Sequence, residues 1–159
     1  MWLTRRHLLS LAAIGIATLR GPSARAAPLP AGPIALNGFD AVSYFLGPPE
    51  AGRAMYETVW QSQTWRFARA GNREAFRLAP ESYAPRLDGF DPVAMLAGRL
   101  VDTDPLIFAR LPGPEGIERL YLLRHEDHRD QLLADPGIAA RAEARWPTLR
   151  NQIERDFPN

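Results

Sequence analysis

The sequence predicts an α+β fold: a small antiparallel sheet with helices packed over it, built as two similar halves and closed by a C-terminal helix. Two self-matches and one pattern predict it. Gly38-Phe39-Asp40-Ala41-Val42 recurs 51 residues later as Gly89-Phe90-Asp91-Pro92-Val93, and Gly47 and Gly98 keep that offset. Trp65-Arg66-Phe67 aligns with Tyr121-Leu122-Leu123, and Asn72-Arg73-Glu74-Ala75-Phe76 with His128-Arg129-Asp130-Gln131-Leu132, both at an offset of 56. The five extra residues fit in Leu111 to Arg119, a segment carrying Pro112, Gly113, Pro114 and Gly116. A self-match whose single gap falls in a turn-rich stretch points to an internal duplication. Two copies are too few for a solenoid, so two units sharing one core are expected. Within each half a helical stripe gives way to strand-like runs and then to a second helix.

Taken in order, residues 1–26 read as an export signal. Arg5 and Arg6 precede an apolar run of 12 residues, Leu8 to Leu19. A membrane-spanning helix needs about 20 apolar residues, whereas this length suits the apolar region of a signal peptide. Ala24-Arg25-Ala26 supplies the small residues of a cleavage site, with cleavage expected after Ala26. Residues 27–36 begin Ala-Pro-Leu-Pro-Ala-Gly-Pro and read as an extended, proline-stiffened tether.

The first half spans 37–88 and the second 89–136. Asp40 and Asp91 stand where an N-capping aspartate would start a short helix, and Pro92 suits a first helical position. Val42, Phe45 and Leu46, and then Val93, Leu96 and Leu100, make the apolar stripes of these short helices. Hairpins follow, expected over Met55–Trp60 with Thr64–Ala68 and over Leu106–Arg110 with Leu120–Leu123, on their β-branched and aromatic content. A helix is expected from Asn72, as its cap, to Leu78, stopped by Pro80, and another over Glu126–Ala134. The last segment, 137–159, is expected to form one helix over Gly137–Trp146 and to restart at Pro147, with Ala139, Ala142, Trp146, Leu149 and Ile153 facing inward.

Composition excludes several chemistries. All 19 basic residues are arginine and there is no cysteine. That removes disulfides, cysteine–zinc sites, iron–sulfur clusters and thiol nucleophiles, and with them Schiff-base and P-loop lysines. The segment before Ala27 holds four arginines and no acid, so the remaining 133 residues carry 15 arginines against 18 acids, a formal charge of −3. A basic nucleic-acid footprint is therefore excluded from the body. No Gly-rich phosphate loop, nucleophile elbow or Ser/His/Asp order is present.

Two resemblances bear on function. Thr4-Arg5-Arg6-His7-Leu8-Leu9, with its moderately apolar run, resembles a twin-arginine export signal. That implies a chain folded before export and residence in the periplasm. Asn37-Gly38-Phe39-Asp40-Ala41-Val42-Ser43-Tyr44-Phe45, Trp65-Arg66-Phe67-Ala68, Asn72-Arg73-Glu74-Ala75-Phe76 and Pro80-Glu81-Ser82-Tyr83-Ala84-Pro85 resemble the YHS-domain family of bacterial exported proteins, as does the tail Ala142-Glu143-Ala144-Arg145-Trp146-Pro147. The likeness covers about 37–147. Thiol-bearing relatives carry two cysteines in this signature, associated with copper or other heavy metals. Here those positions are Ala68 and Asn72, and in the second half Arg124 and His128. Thiolate ligation is thus excluded. The resemblance carries the fold and an accessory role near metal handling or a partner enzyme, without the usual metal ligands.

Candidate site residues follow. His125 and His128 lie three apart and can present two imidazoles to Cu(II), Zn or Ni on one helix face; a plain polar helix start is the simpler account. Tyr44, Trp60, Trp65 and Arg66 can line a groove for a small ligand or peptide, although aromatic residues at strand spacing more often form core. Met55 and Met95 read as core filler. Arg66, Arg69, Arg73 and Arg77 can form an anion-binding face. No catalytic residue is singled out. The expected function is a non-catalytic binding or accessory module with a periplasmic protein partner. A carrier of a small ligand or cofactor and an enzyme with a carboxylate or histidine site are the alternatives. The cofactor is left unassigned.

Overall fold

In the computed structural model, residues 32–156 are described, apart from the side chains of Glu115 and Glu154. The export signal and most of the tether lie outside the described residues. The fold is α+β, with two separate antiparallel hairpins and five helices. The first hairpin pairs β1 (Arg53–Trp60) with β2 (Gln63–Phe67), and is followed by α1 (Ala70–Leu78) and the single turn α2 (Pro80–Tyr83). After a turn comes α3 (Pro92–Leu96), then β3 (Asp104–Pro112) with β4 (Glu118–Leu123), α4 (Glu126–Ala134) and α5 (Gly137–Asp156).

Backbone conformation at matching positions is closely alike. Leu36 and Asn37 have φ of 52° and 50°, and Gly38 follows at 87°; Leu87, Asp88 and Gly89 have 60°, 51° and 85°. Left-handed backbone costs an L-residue roughly 1–2 kcal/mol, least for Asn and Asp. The leucines are held there by packing: Leu87 is buried, and Leu36 contacts two of the three apolar clusters. Both hairpins also carry a wide bulge at their open ends. Arg53 faces Phe67 and Glu57 faces Arg66, leaving Ala54, Met55 and Tyr56 to loop out. Asp104 faces Leu123 and Phe108 faces Leu122, so Pro105, Leu106 and Ile107 do the same. Bulges turn side chains outward, which places Met55 and Leu106 in solvent at 69% and 57% exposure.

The two faces of the second hairpin do different work. Tyr121 and Leu123 point to a core shared with Leu132 of α4 and with Ala139 and Ala142 of α5. Leu120 and Leu122, with Phe108, point the other way and receive Tyr44 from the first turn. Tyr44 meets Phe108 edge-on at 5.1 Å and its hydroxyl donates to the Pro105 carbonyl at 2.8 Å. In the first hairpin, Trp65 and Phe67 likewise face inward onto Phe76 of α1. On the opposite face, where the second hairpin has the pair Phe108–Leu122, the first has Glu57 and Arg66, ion-paired at 2.8 Å. The turn preceding α3 offers Leu87 and Phe90, α3 adds Met95 and Leu96, and α5 covers them with Ala142, Trp146 and Leu149.

Several expectations need correction. Asn72 does not cap α1: the cap position is Arg69, and Asn72 sits three residues further in with its amide taken by Asp40. Leu46 and Leu100 leave the apolar stripes, because the first short helix is one 3-10 turn over Ser43–Phe45 and α3 stops before Gly98, which turns left-handed at φ 77°. Met55 is on the bulge, not in the core, whereas Met95 is buried. Pro147 does not split the last segment. α5 runs through it, held by the burial of Ala139 and Ala142 and the packing of Trp146 and Leu149.

Candidate functional site

Two buried carboxylates organise the molecule. Asp40 Oδ1 accepts from the backbone N–H of Val42 at 2.9 Å and of Ser43 at 3.3 Å; Oδ2 accepts from Ala68 N–H at 2.8 Å and the Asn72 amide at 2.6 Å. Asp91 Oδ1 accepts from Val93 and Ala94 at 2.8 and 3.1 Å; Oδ2 takes Arg124 N–H at 2.9 Å and His128 Nδ1 at 2.7 Å. Each side chain therefore begins a short helix with one oxygen and ties the strand-to-helix junction with the other. Burial of an anion is tolerated because every lone pair faces a donor. Because Asp91 Oδ2 is a carboxylate acceptor, the ring nitrogen facing it carries the proton, leaving His128 Nε2 without one in the neutral ring. Helix capping, expected from sequence at both aspartates, is observed at Asp91, which caps α3; Asp40 makes matching bonds to Val42 and Ser43 but stands two residues before Val42, the cap position of the Ser43–Phe45 turn, and both residues also reach across to the second helix of their half.

Four residue positions matter for the metal question: Ala68, Asn72, Arg124 and His128. They contribute one imidazole, whose Nδ1 is already bonded to Asp91. His125 is at the cap position of α4 and exposed, its ring 5.6 Å from that of His128. Among the described residues, no three His, Cys, Asp or Glu side chains converge to hold a metal. The donor set does not fit a soft metal such as Cu(I).

A cleft of about 710 Å³ runs along the seam between the halves. It is lined by the two left-handed turns, Leu36-Asn37 and Leu87-Asp88-Gly89, by Trp60 and Trp65 of the first half, and by Trp146 and Arg150 of α5. Trp146 packs on Phe90 at 5.7 Å, and Trp65 donates its indole N–H to the Trp60 carbonyl at 3.1 Å. Glu81, Asp88 and Asp102 bring carboxylates to the walls. This volume falls within the 300–1,000 Å³ typical of small-ligand sites. Of the expected groove residues, Trp60 and Trp65 line the cleft. Tyr44 and Arg66 do not. Tyr44 is 1% exposed and committed to the second hairpin, where burial, then the charges of Asp104 and Asp40, push its phenol well above the ordinary value. Arg66 is on the opposite face, held by Glu57.

Beside the cleft, Glu143 of α5 gathers three donors. Arg86 Nε and the Tyr121 hydroxyl meet Oε1 at 2.9 and 2.8 Å, and Arg119 Nη1 meets Oε2 at 2.6 Å. Burial opposes ionisation of Glu143, but the Tyr121 hydroxyl and the Arg86 and Arg119 guanidinium groups outweigh it and hold the carboxyl below its usual range. Burial and the bond to this carboxylate push Tyr121 up to about 12. The hub fixes α5 against the turn at Arg86 and against β4. The expected arginine face does not form: Arg69 pairs with Glu50, and Arg73 and Arg77 both pair with Glu74.

The residues that sequence reasoning missed are Glu143 with its three donors, and Trp146, Asp88 and Arg150 in the cleft. Glu143 and Trp146 sat in a recognised tail motif whose partners lie 22 to 57 residues away, beyond any local pattern. Comparison with known proteins adds no relative: no family model, curated protein or solved structure matches this chain. Among the described residues no helix is long and apolar enough to cross a membrane.

Proposed function

We propose that this chain is an exported, non-catalytic binding or accessory module, a doubled YHS-like unit whose binding element is the seam cleft. The observation that carries this reading is the cleft itself: the tryptophans Trp60, Trp65 and Trp146 all line it, over two strained turns supplied one by each half. Sparsely populated backbone held by packing is characteristic of ligand clamps. The titratable groups deepest in the fold, Asp40 and Asp91, spend their bonding capacity on main-chain and side-chain donors of the scaffold. That favours recognition over acid–base chemistry. Matching turns, bulges and carboxylate contacts at offsets of 51 and 56 support descent from a duplicated unit; the YHS reading rests on the sequence resemblance. Any link to copper handling runs through a partner, since this chain lacks the thiolates.

Export through the twin-arginine route, release after Ala26 and periplasmic residence complete the proposal. N-terminal sequencing of the periplasmic protein should begin at Ala27, and Arg5→Lys with Arg6→Lys should retain it in the cytoplasm. Tryptophan emission then tests the binding element. Metals, haem, flavins and peptides are titrated into the parent and into Trp146→Leu. A ligand that quenches the parent and spares the variant supports the cleft. A panel that leaves emission and melting temperature unchanged throughout rejects it.

A further inference from the structure

Charge sorts what the seam cleft can hold. Five ionisable side chains line it: Glu81, Asp88, Asp102, Arg86 and Arg150. Both arginines are already committed to carboxylates. Arg86 Nε meets Glu143 Oε1 at 2.9 Å, and Arg150 Nε stands 3.8 Å from Asp88 Oδ2. Glu81 and Asp102 differ: among the described residues neither carboxylate has an ion pair or a hydrogen bond. Arg124 reaches the main-chain carbonyl of Asp102, at 3.2 Å, rather than its carboxylate. The uncompensated charge of the cleft is therefore negative. An anionic ligand would have to displace a carboxylate from Arg86 or Arg150 and would meet Glu81 and Asp102 as like charges.

The aromatic lining narrows the class further. Trp65 is 4% exposed and its ring is spent on Phe76, at 4.7 Å. Trp60 and Trp146 are only half-buried, so part of each indole is left for a ligand. An indole face is electronegative and attracts a cation within about 6 Å of the ring centre, more strongly once water is excluded. A bare metal ion does not use such a wall: it needs several ligand atoms converging on one point, and among the described residues no three His, Cys, Asp or Glu side chains converge. The chemistry that uses both carboxylates and indoles is a cation carried on an apolar frame, and about 710 Å³ leaves room for the frame.

We propose that the seam cleft binds a small organic ammonium ion, its charge drawn by the Glu81 and Asp102 carboxylates and its apolar body received by Trp60 and Trp146. The inference rests on the reading of the cleft as the binding element and adds the class of its ligand. Specificity against anions comes from the two carboxylates. Specificity against neutral molecules of the same shape comes from the carboxylates and the indole faces together, since both interactions vanish with the charge.

The test titrates four probes of similar size into the exported chain, followed by tryptophan emission and calorimetry. Benzyltrimethylammonium and phenethylamine are the cations, benzyl alcohol the neutral control and phenylacetate the anion. At least one cation should bind and change the emission, with an affinity that falls as salt is added. The two controls should bind about tenfold more weakly or not at all. Glu81→Gln with Asp102→Asn, both at exposed positions, should leave the melting curve unchanged and weaken the cation by about tenfold. Trp146→Leu should weaken it as well. Benzyl alcohol binding as tightly as the cations overturns the ammonium class and leaves the cleft as a site for neutral molecules. A double carboxylate variant that binds the cation as tightly as the parent also overturns the proposal. If neither cation binds while haem, a flavin or a peptide still changes the emission, the cleft survives and only its ligand class is wrong. If nothing binds, both readings fall.

Discussion

Replacing Asp40 by asparagine probes the internal pin most directly. The carboxylate is fully buried and faces four N–H donors, two on each oxygen. An asparagine amide keeps one oxygen and turns an NH₂ group toward the other two donors. If the oxygen stays with Ala68 and Asn72, the Val42 N–H loses its acceptor and faces a donor, while the Ser43 N–H keeps the Asp40 main-chain carbonyl at 3.1 Å. An unsatisfied buried donor costs about 1–3 kcal/mol, and the two bonds retained fall from charged to neutral strength. The sum is about 3–5 kcal/mol, a large part of the 5–15 kcal/mol that stabilises a typical domain. With a urea slope of about 1–3 kcal/mol/M, the unfolding midpoint should drop by roughly 1–5 M, read by far-ultraviolet circular dichroism. Asp40→Ala should cost more, because the Val42 and Ala68 N–H groups and the Asn72 amide all lose their acceptor. Asp135→Asn, at an exposed carboxylate that Arg141 and the Gly137 N–H hold below its usual pKa, serves as the control and should barely move the midpoint. A shift at Asp40→Asn as small as that control would refute the idea that this carboxylate ties the junction at Ala68 and Asn72 to the first turn.

Four further outcomes are expected. His128→Asn should keep most of the stability, since an amide can donate to Asp91 Oδ2 as Asn72 does to Asp40, whereas His128→Leu should lose about 1.5–3 kcal/mol; thermal melts compare them. Glu143 has a depressed folded pKa, so its contribution is present above the ordinary glutamate range and fades as pH falls through the folded value; Glu143→Gln should flatten the acid limb of a stability–pH curve. Tyr121, raised from 10.0 to about 12, keeps its proton in the folded state after the unfolded chain has lost it, so stability should fall between those pH values and Tyr121→Phe should remove that fall. Glu57→Phe with Arg66→Leu should make the protein associate with increasing concentration in sedimentation runs, because an ion pair that repels apolar partners becomes an apolar patch.

Much of the fold was legible because it is local. The spacing of apolar residues and the first-turn acids place α4 over Glu126–Ala134, and that is where it lies. Asp91 is a cap as expected, a short-range signal, while Asp40 makes the same local bonds from two residues before the cap position. What failed was long-range. A capping asparagine and an asparagine that donates to a carboxylate 32 residues away look identical in sequence, so Asn72 was misplaced. Pro147 removes a helix hydrogen bond, yet packing of the residues around it outweighs that loss. The bulges have no composition of their own, so Met55 passed for core. Of the four expected groove residues, Trp60 and Trp65 line the cleft. Trp60 and Trp65 lie near each other in sequence, but Trp146 reaches the cleft only because α5 folds back over the turn before α3.

The contrast between Phe108–Leu122 and Glu57–Arg66 bears on the size of the whole molecule. One hairpin greets a neighbouring turn with grease; its counterpart presents a zwitterionic lid at the same rung. At the far end, α5 occupies the place a further hairpin would take. Stacking of this kind has no inherent stopping point, and aggregation by unlimited addition is its natural hazard. Two terminators, one electrostatic and one helical, therefore fix the count, and a third unit spliced between them should be accommodated without disturbing either.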